Sequence, residues 1–475
     1  MEKTFKPTFG GALFILGFLI VSMGASVAWL NIPVHITMVI STGVAVAVLM
    51  YQGYKWEDVS ESVAYGGKLA MMTAMILLII GMVMGSWIAS GTVPMIIYWG
   101  LKLISPSMFL VTTCLVCSIT SLATGSSWST GATVGVALMG VGAGLGINPG
   151  MTAGAIISGA YLGDKMSPLS DTTNLAPGIA EGDLFDHIKS MLYTTVPAYI
   201  ISLLIYAVLG MKYTGQQLNT ESINATILAI QNSFNLNPVV LIPPILVIIL
   251  AIKKFPGLPL LLISALVAAV IAILFQGETV ASIATIMDSG YASQIGIPAI
   301  DKLLSRGGLQ NMSWTLTLTI IVMVYGALLE QSGVLEVIIN RFKALTKTTG
   351  SLVCATVLSA IGINLATASQ YMSIVITGRM YIGAYKEKDM LPQTLSRTLE
   401  DAGTMTSVLV PWNACGVFFA GTLGVATLAY APYALLNWIT PLVAILFGFM
   451  GKFQWKTGDI PSARTYSKEK VTVNQ

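Results

Sequence analysis

Charge is what this sequence has least of: 24 Lys and Arg with 21 Asp and Glu make up 9% of 475 residues, where a soluble domain carries about 25%. That excludes a soluble globular protein of this length. Histidine occurs only as His35 and His187, and no H-E-x-x-H is present, which removes an intramembrane zinc protease of that type. The four cysteines, Cys114, Cys117, Cys354 and Cys415, all lie in apolar stretches, where they are expected to pack as small hydrophobes. Cys114 and Cys117 spell C-x-x-C, but redox or zinc chemistry needs a polar, accessible setting that their neighbours do not offer. The net charge of +3 sits mostly in the tails and a few loops. It reads as an orientation signal, and nucleic acid is not an expected partner.

Apolar residues fill the space that charge leaves. Hydrophobic residues are 55% of the chain, and its mean hydropathy is +0.79. Apolar runs fall at 10–30, 34–51, 69–88, 107–124, 127–145, 151–170, 189–210, 238–252, 257–275, 314–331, 350–366, 369–385, 400–422 and 430–450. A run of about 20 residues is what about 30 Å of hydrocarbon requires. The expectation is an all-α integral membrane protein, a polytopic helical bundle of about 12–14 spans set in membrane lipid. Several pieces are short, glycine-rich or cut by proline, so broken or re-entrant helices are expected among them. The run at 10–30 is read as a retained first span rather than a signal peptide, and the mixed stretches 211–237 and 276–310 as interfacial connectors.

The two halves echo each other. Tyr65-Gly66-Gly67 returns as Arg306-Gly307-Gly308, Ser90-Gly91 as Ser332-Gly333, Leu122-Ala123-Thr124 as Leu365-Ala366-Thr367, and Thr173-Asn174 as Trp412-Asn413, at separations of 241, 242, 243 and 239 residues. This predicts a duplication, with 1–235 as the first repeat and 236–475 as the second, ending in a short cytoplasmic tail, 452–475. Basic residues then give the orientation, because positive loops stay in the cytoplasm. Lys3 and Lys6 precede the first span while Asn232 to Pro238 is uncharged; Asn31 to Pro33 has no base while its counterpart has Lys253 and Lys254. Ala143 to Gly154 is uncharged while its partner region has Lys386, Lys388 and Arg397, and Lys102 stands alone where Arg341, Lys343 and Lys347 answer it. The alternation predicts inverted repeats with an odd number of crossings each and both termini in the cytoplasm. Lys302 and Arg306 are the exception. Inverted repeats in such a chain mark a secondary transporter, with its site at mid-membrane where helices are broken.

The richest polar segment runs from Gly159 to Gly178, after a stretch with no charged residue from Ser118 through Gly163. Pro168 should break a helix there and free backbone carbonyls. With Asp164, Ser167, Ser170, Asp171, Thr172, Thr173 and Asn174 these form an all-oxygen set suited to a hard cation, and sodium is the expected ion, held chiefly at Asp164, Asp171 and Asn174. A carboxylate in apolar surroundings holds a proton or a metal cation in turn, which is the simplest exchange mechanism. Asp164 could instead pair with Lys165, and the hydroxyls could simply cap helices. The counterpart, Glu400 to Gly416, adds Thr404, Ser407 and Asn413; Glu400 and Asp401 fit either ligands or surface acids near Arg397. A third set, Thr124, Ser126 and Ser127 with the echo Thr367, Ser369 and Gln370, could line a cavity or bond back within its own helices. Glu330 ends a span and fits a site or an interface. Arg379 is read as structural.

The strings G-S-S-W-S-T, I-S-G-A-Y-L-G-D-K-M-S-P-L-S-D-T-T-N-L-A, L-L-E-Q-S-G and V-P-W-N-A-C-G resemble the signature segments of the NhaC family of sodium/proton antiporters, in the wider ion transporter superfamily. The resemblance covers essentially the whole chain. It implies an electrochemically driven exchanger of the bacterial or archaeal cytoplasmic membrane, with no catalytic residues and no cofactor beyond Na+ and H+ as transported or coupling ions. It leaves the substrate open, because the family also includes exchangers of malate and lactate and others assigned to amino acids. Sodium/proton antiport is therefore the first expectation, and a sodium- or proton-coupled carrier of a small carboxylate or amino acid the alternative. A channel would show a filter or pore ring, and an enzyme with Ser127 as nucleophile would need a histidine base. A homodimer is compatible with all of these.

Overall fold

The computed structural model describes residues 5–30, 32–213, 220–253, 255–296, 301, 304–343, 347–457 and 459. Among them the regular elements are helical, apart from one isolated bridge between Met390 and Lys456. Helices dominate because lipid offers no partner for backbone N–H and C=O groups, and a helix satisfies them within itself. Among the described residues, seven helices are long and apolar enough to span a membrane unaided, or up to nine if two bent pairs each count as one span. Gly257–Gln276, with 20 residues, reaches about 30 Å at 1.5 Å per residue. Trp56–Ala89 is far longer than the run at 69–88 suggested. Its first turns carry Glu57, Asp58, Glu61 and Lys68 and read as polar, yet they continue the same helix from the turn in which Lys55 N–H bonds Asp58 Oδ2.

Four of the apolar runs turn back on themselves. Phe109–Thr124 and the helical stretch 127–144 form a first hairpin, in which the position of a Gly142 side chain lies against Phe109 at the base and Thr124 meets Thr130 near the tip. Thr349–Thr367 and Gln370–Glu387 form a second, held by Ser373 to Ala360, Ser359 to Tyr381 and Lys388 to Lys347. Both tips turn through left-handed residues, Gly125 at φ 68° and Ala368 at φ 54°. A turn this tight cannot be seen in hydropathy, so full crossings number fewer than the fourteen apolar runs.

Each hairpin sits beside an interrupted helix. The first is Pro149–Met166, then a break, then Asp171–Ile179. The second is the helical stretch 392–407, then a break, then Ala414–Leu423. Gly142 of the first hairpin base adjoins Thr152 near the start of the first broken helix. The Lys386–Glu181 ion pair, 2.9 Å, ties the second hairpin base to the chain just past that helix's far end. Both hairpin tips reach one shared cavity, the first through Ser126 and Ser127 and the second through Ser369 and Gln370. Large apolar side chains such as Leu13, Phe14, Leu266, Val270, Leu274, Leu442 and Leu446 are exposed around the outside, as a lipid-facing belt requires.

Candidate functional site

Small residues create the site by letting two helices touch. A Cβ on Gly159 would lie 2.2 Å from Cys114 O, and one on Gly163 2.3 Å from Leu122 N, so the first broken helix runs directly against the first hairpin arm. Asp164, the next residue, is thereby pressed to the hairpin tip. Its Oδ2 accepts from Ser127 N–H at 3.1 Å and from Ser127 Oγ at 2.6 Å. Asp164 is not the partner of Lys165, as adjacency in sequence allowed.

The break after Met166 is a hydrogen-bonded loop rather than a frayed end. Thr173 Oγ1 donates to the freed carbonyls of Asp164 and Lys165 at 3.1 and 2.9 Å. Ser167 Oγ donates to Leu122 O at 2.9 Å, and Asn174 Nδ2 donates to Pro168 O and Ser170 O at 2.9 and 2.7 Å. Ser170 and Thr172 hydroxyls meet at 3.2 Å. Asp171 opens the next helix, exposed at its positive end, where a carboxylate is favoured.

Around these residues lies a cavity of about 1020 Å³. Of the residues expected from sequence, its wall includes Thr124, Ser126, Ser127, Asp164, Ser170, Asp171, Thr172, Asn174, Ser369 and Gln370, so both hairpin tips contribute. Ser167, Thr173, Thr367, Asn413, Glu330, Thr404 and Ser407 lie outside that wall. Ser167 and Thr173 stitch the break. Thr367 bonds back to Ile363 O, and Glu330 sits at the end of Ser313–Gln331 within electrostatic reach of Tyr65. Asn413 is buried, caps Ala414–Leu423 through Cys415 N–H, and donates to Asn364. It occupies the cap position that Ser170 holds in the first broken helix, whereas Asn174 lies one turn further on. Trp128, stacked on Phe418 at 4.2 Å, joins the first tip to the second broken helix.

Behind the cavity is a group of buried charges. Lys165 Nζ forms an ion pair with Asp401, both side chains fully buried, and Thr194 Oγ1 donates to the same carboxylate oxygen at 3.0 Å. Glu400, also buried, has Thr404 and Thr172 beside it and interacts through space with Lys165 and Asp164. Arg397 is buried next to Asp401 and Tyr385, under the ring of Trp455 at 5.3 Å. His187 Nδ1 bonds Ser396 Oγ at 2.8 Å. Glu400 and Asp401 are thus not surface acids. Arg397, counted from sequence among the basic loop residues that set orientation, is instead buried within Pro392–Leu399, and the Lys165–Asp401 pair was missed because its partners are 236 residues apart. A signal did exist: Arg, Glu and Asp within five residues, 397–401, at the edge of an apolar run.

The Na+/H+ antiporter family model matches residues 159–452, which run from within the first broken helix, ahead of its break, through the whole second hairpin. The chain is also 39% identical over 452 residues, 95% of its length and 97% of the relative's, to the Na(+)/H(+) antiporter NhaC of Alkalihalophilus pseudofirmus. The chain belongs to the Na+/H+ antiporter family. Within the same range of similarity lie the Malate-2H(+)/Na(+)-lactate antiporter of Bacillus subtilis, 36% identical over 96% of this chain and 98% of the relative, and the arginine/ornithine antiporter ArcD of Halobacterium salinarum, 37% identical over 95% and 93%. The cavity in this member of the Na+/H+ antiporter family is walled by the first broken helix and both hairpin tips.

Proposed function

We propose that the protein exchanges sodium for protons across a bacterial or archaeal cytoplasmic membrane, with both termini in the cytoplasm and its halves, 1–235 and 236–475, acting as inverted repeats. The observation that supports this best is Asp164, a buried carboxylate held by the backbone and hydroxyl of Ser127 at the tip of a hairpin. It lies where a broken helix and a hairpin tip meet, the kind of place where transporters of this architecture build their ion sites. Around it stand the oxygens a hard cation uses: Asp171, the hydroxyls of Ser126, Ser170 and Thr172, and the amide oxygen of Asn174.

Charge counting gives the exchange its stoichiometric logic. The buried group holds two cations, Lys165 and Arg397, and three carboxylates, Asp164, Asp401 and Glu400, so one carboxylate lacks a counter-charge within it. A sodium ion or a proton supplies it, and either excludes the other. The relatives also support this reading by name. The alternative, carriage of a malate- or lactate-like anion, would rest on Ser126, Ser127, Ser369, Gln370 and the amino terminus of Asp171–Ile179, and the described wall adds no basic side chain to them.

The test is transport by the purified protein in vesicles with a pH gradient and a pH-sensitive dye. Sodium alone should collapse the gradient, and Asp164→Asn and Asp171→Asn should each abolish this while inserting normally. If both variants keep the sodium affinity of the parent, competition at these carboxylates is wrong.

A further inference from the structure

We infer that Arg306 is a positioning residue for alternating access: its guanidinium latches the second broken helix and holds the cavity closed at one end while the other end is open. This rests on the exchange reading above only in requiring the cavity to open to each side in turn. The first observation is where the cavity stops. Its wall on Trp56–Ala89 is Leu69, Thr73, Ile76 and Ile80, spaced as one face of a helix. At the next residue the packing closes. Gly308 N–H donates to Gly81 O at 2.7 Å, and a Cβ on Gly81 would lie 2.4 Å from Gly308 O. At the other end the wall includes Phe255, Pro256 and Gly257, all exposed and just after Lys253. Gly257 begins a helix whose last residue, Gln276, donates to Ser90 O at 3.0 Å, just past Trp56–Ala89. The Gly81 end is therefore the closed one and the Lys253 end the open one.

The second observation is what holds the closed end together. A Cβ on Gly421 of the second broken helix would lie 2.5 Å from Thr315 Oγ1, so this helix packs closely on Ser313–Gln331, which follows the Arg306-Gly307-Gly308 turn. Arg306 Nη1 donates to Leu423 O at 2.9 Å, at the carboxyl end of Ala414–Leu423, where unpaired carbonyls attract a cation. The chain bends by 85° there. Gly424 takes a left-handed φ of 66°, and a Cβ on it would lie 2.3 Å from both Nη atoms of Arg306.

The third observation is how Arg306 is held. Among the described residues it forms no ion pair. Its tie to the second broken helix is a charged hydrogen bond to a carbonyl, which breaks without separating two opposite charges. Such a bond is strong enough to bias the closed end and weak enough to open in each cycle. It also gives a use to a basic residue that runs against the charge pattern of the loops.

The experiment uses the full chain in a Cys354→Ser background with Thr73→Cys added on the cavity wall; Cys114, Cys117 and Cys415 are buried. A membrane-impermeant maleimide is applied to right-side-out and inside-out vesicles, and a separate Lys253→Cys sample identifies the Lys253 side. Without further change, the added thiol should react from the Lys253 side and only slowly from the other. Arg306→Gln should speed labelling from that other side about tenfold, the worth of one charged hydrogen bond at a helix end, and leave the Lys253 side no faster. Arg306→Lys should stay near the parent. Gly424→Ala, which drives a methyl into the guanidinium, should act like Arg306→Gln, so the test stands if one variant fails to insert. Unchanged labelling in the variants that insert, faster labelling from both sides, or a parent that labels only from the far side overturns the inference. Sodium-driven collapse of the pH gradient by the same proteins tests exchange separately: collapse without the labelling shift removes the latch alone, and the shift without collapse removes exchange alone.

Discussion

Removing Lys165 should damage the protein more than removing its partner Asp401, although the two form one ion pair. The pair is fully buried, and breaking a buried pair by deleting one member costs about 3–5 kcal/mol because the survivor is left uncompensated. That is roughly two to three and a half powers of ten in the folded fraction. The survivors differ. Asp401→Asn leaves two carboxylates to the two cations, and Lys165 keeps Glu400 within electrostatic reach. Lys165→Met leaves three carboxylates in a group whose one remaining cation, Arg397, lies beside Asp401. The asparagine variant should therefore sit at or below the low end of that range and the methionine variant at the high end. The double variant should recover part of the loss, a coupling that a double-mutant cycle measures directly. Thermal unfolding in detergent can be followed with a thiol-reactive fluorophore, because Cys114, Cys117 and Cys415 are buried and free. Equal losses for the two single variants, or a double variant equal to their sum, would refute both the pairing and the charge count.

Competition at a carboxylate predicts that lowering the pH raises the sodium concentration for half-maximal exchange, by up to about tenfold per unit where protons saturate the site; a half-saturation independent of pH contradicts it. Gly163→Ala should impair exchange and destabilise by about 1–3 kcal/mol, since its Cβ would meet the backbone at Leu122 N and Ser118 O. Gly24→Ala, with open space around it, is the matched control in melting and transport assays. Trp455→Ala should lower stability by about 0.5–2 kcal/mol by uncovering Arg397, with Trp455→Phe keeping part of it; equal melting of all three proteins would show that the ring contributes nothing. Cysteines at Gly146 and Lys388, in a Cys354→Ser background, should label from opposite faces of the membrane, and labelling from one face removes the inverted arrangement.

Much of the fold is legible in the residues because lipid leaves a chain few choices. Scarce charge and apolar runs such as 257–275 dictate helices, and the collinear echoes of Leu122-Ala123-Thr124 and Leu365-Ala366-Thr367 mark the paired hairpin tips. Pro168, with hydroxyls on either side, locates the first break, since proline removes a backbone donor wherever it stands. Such local rules operate within a few residues and can be read in one dimension.

Partnership is a different matter. Sequence places Lys165 beside Asp164, but the helix turns successive side chains about 100° apart, so Asp164 meets Ser127 and Lys165 meets Asp401. Asn413 matches Asn174 by eye, yet it caps a helix in the core while Asn174 faces the cavity. Glu400 and Asp401 look equally like surface or site until burial decides. The sequence by itself determined the solvent, the helices, the breaks and the kind of atoms available. Only the tertiary structure decided which carboxylate is bonded to a hairpin tip, which is locked in an ion pair and which is open to a substrate, because those depend on close contacts between helices far apart in the chain.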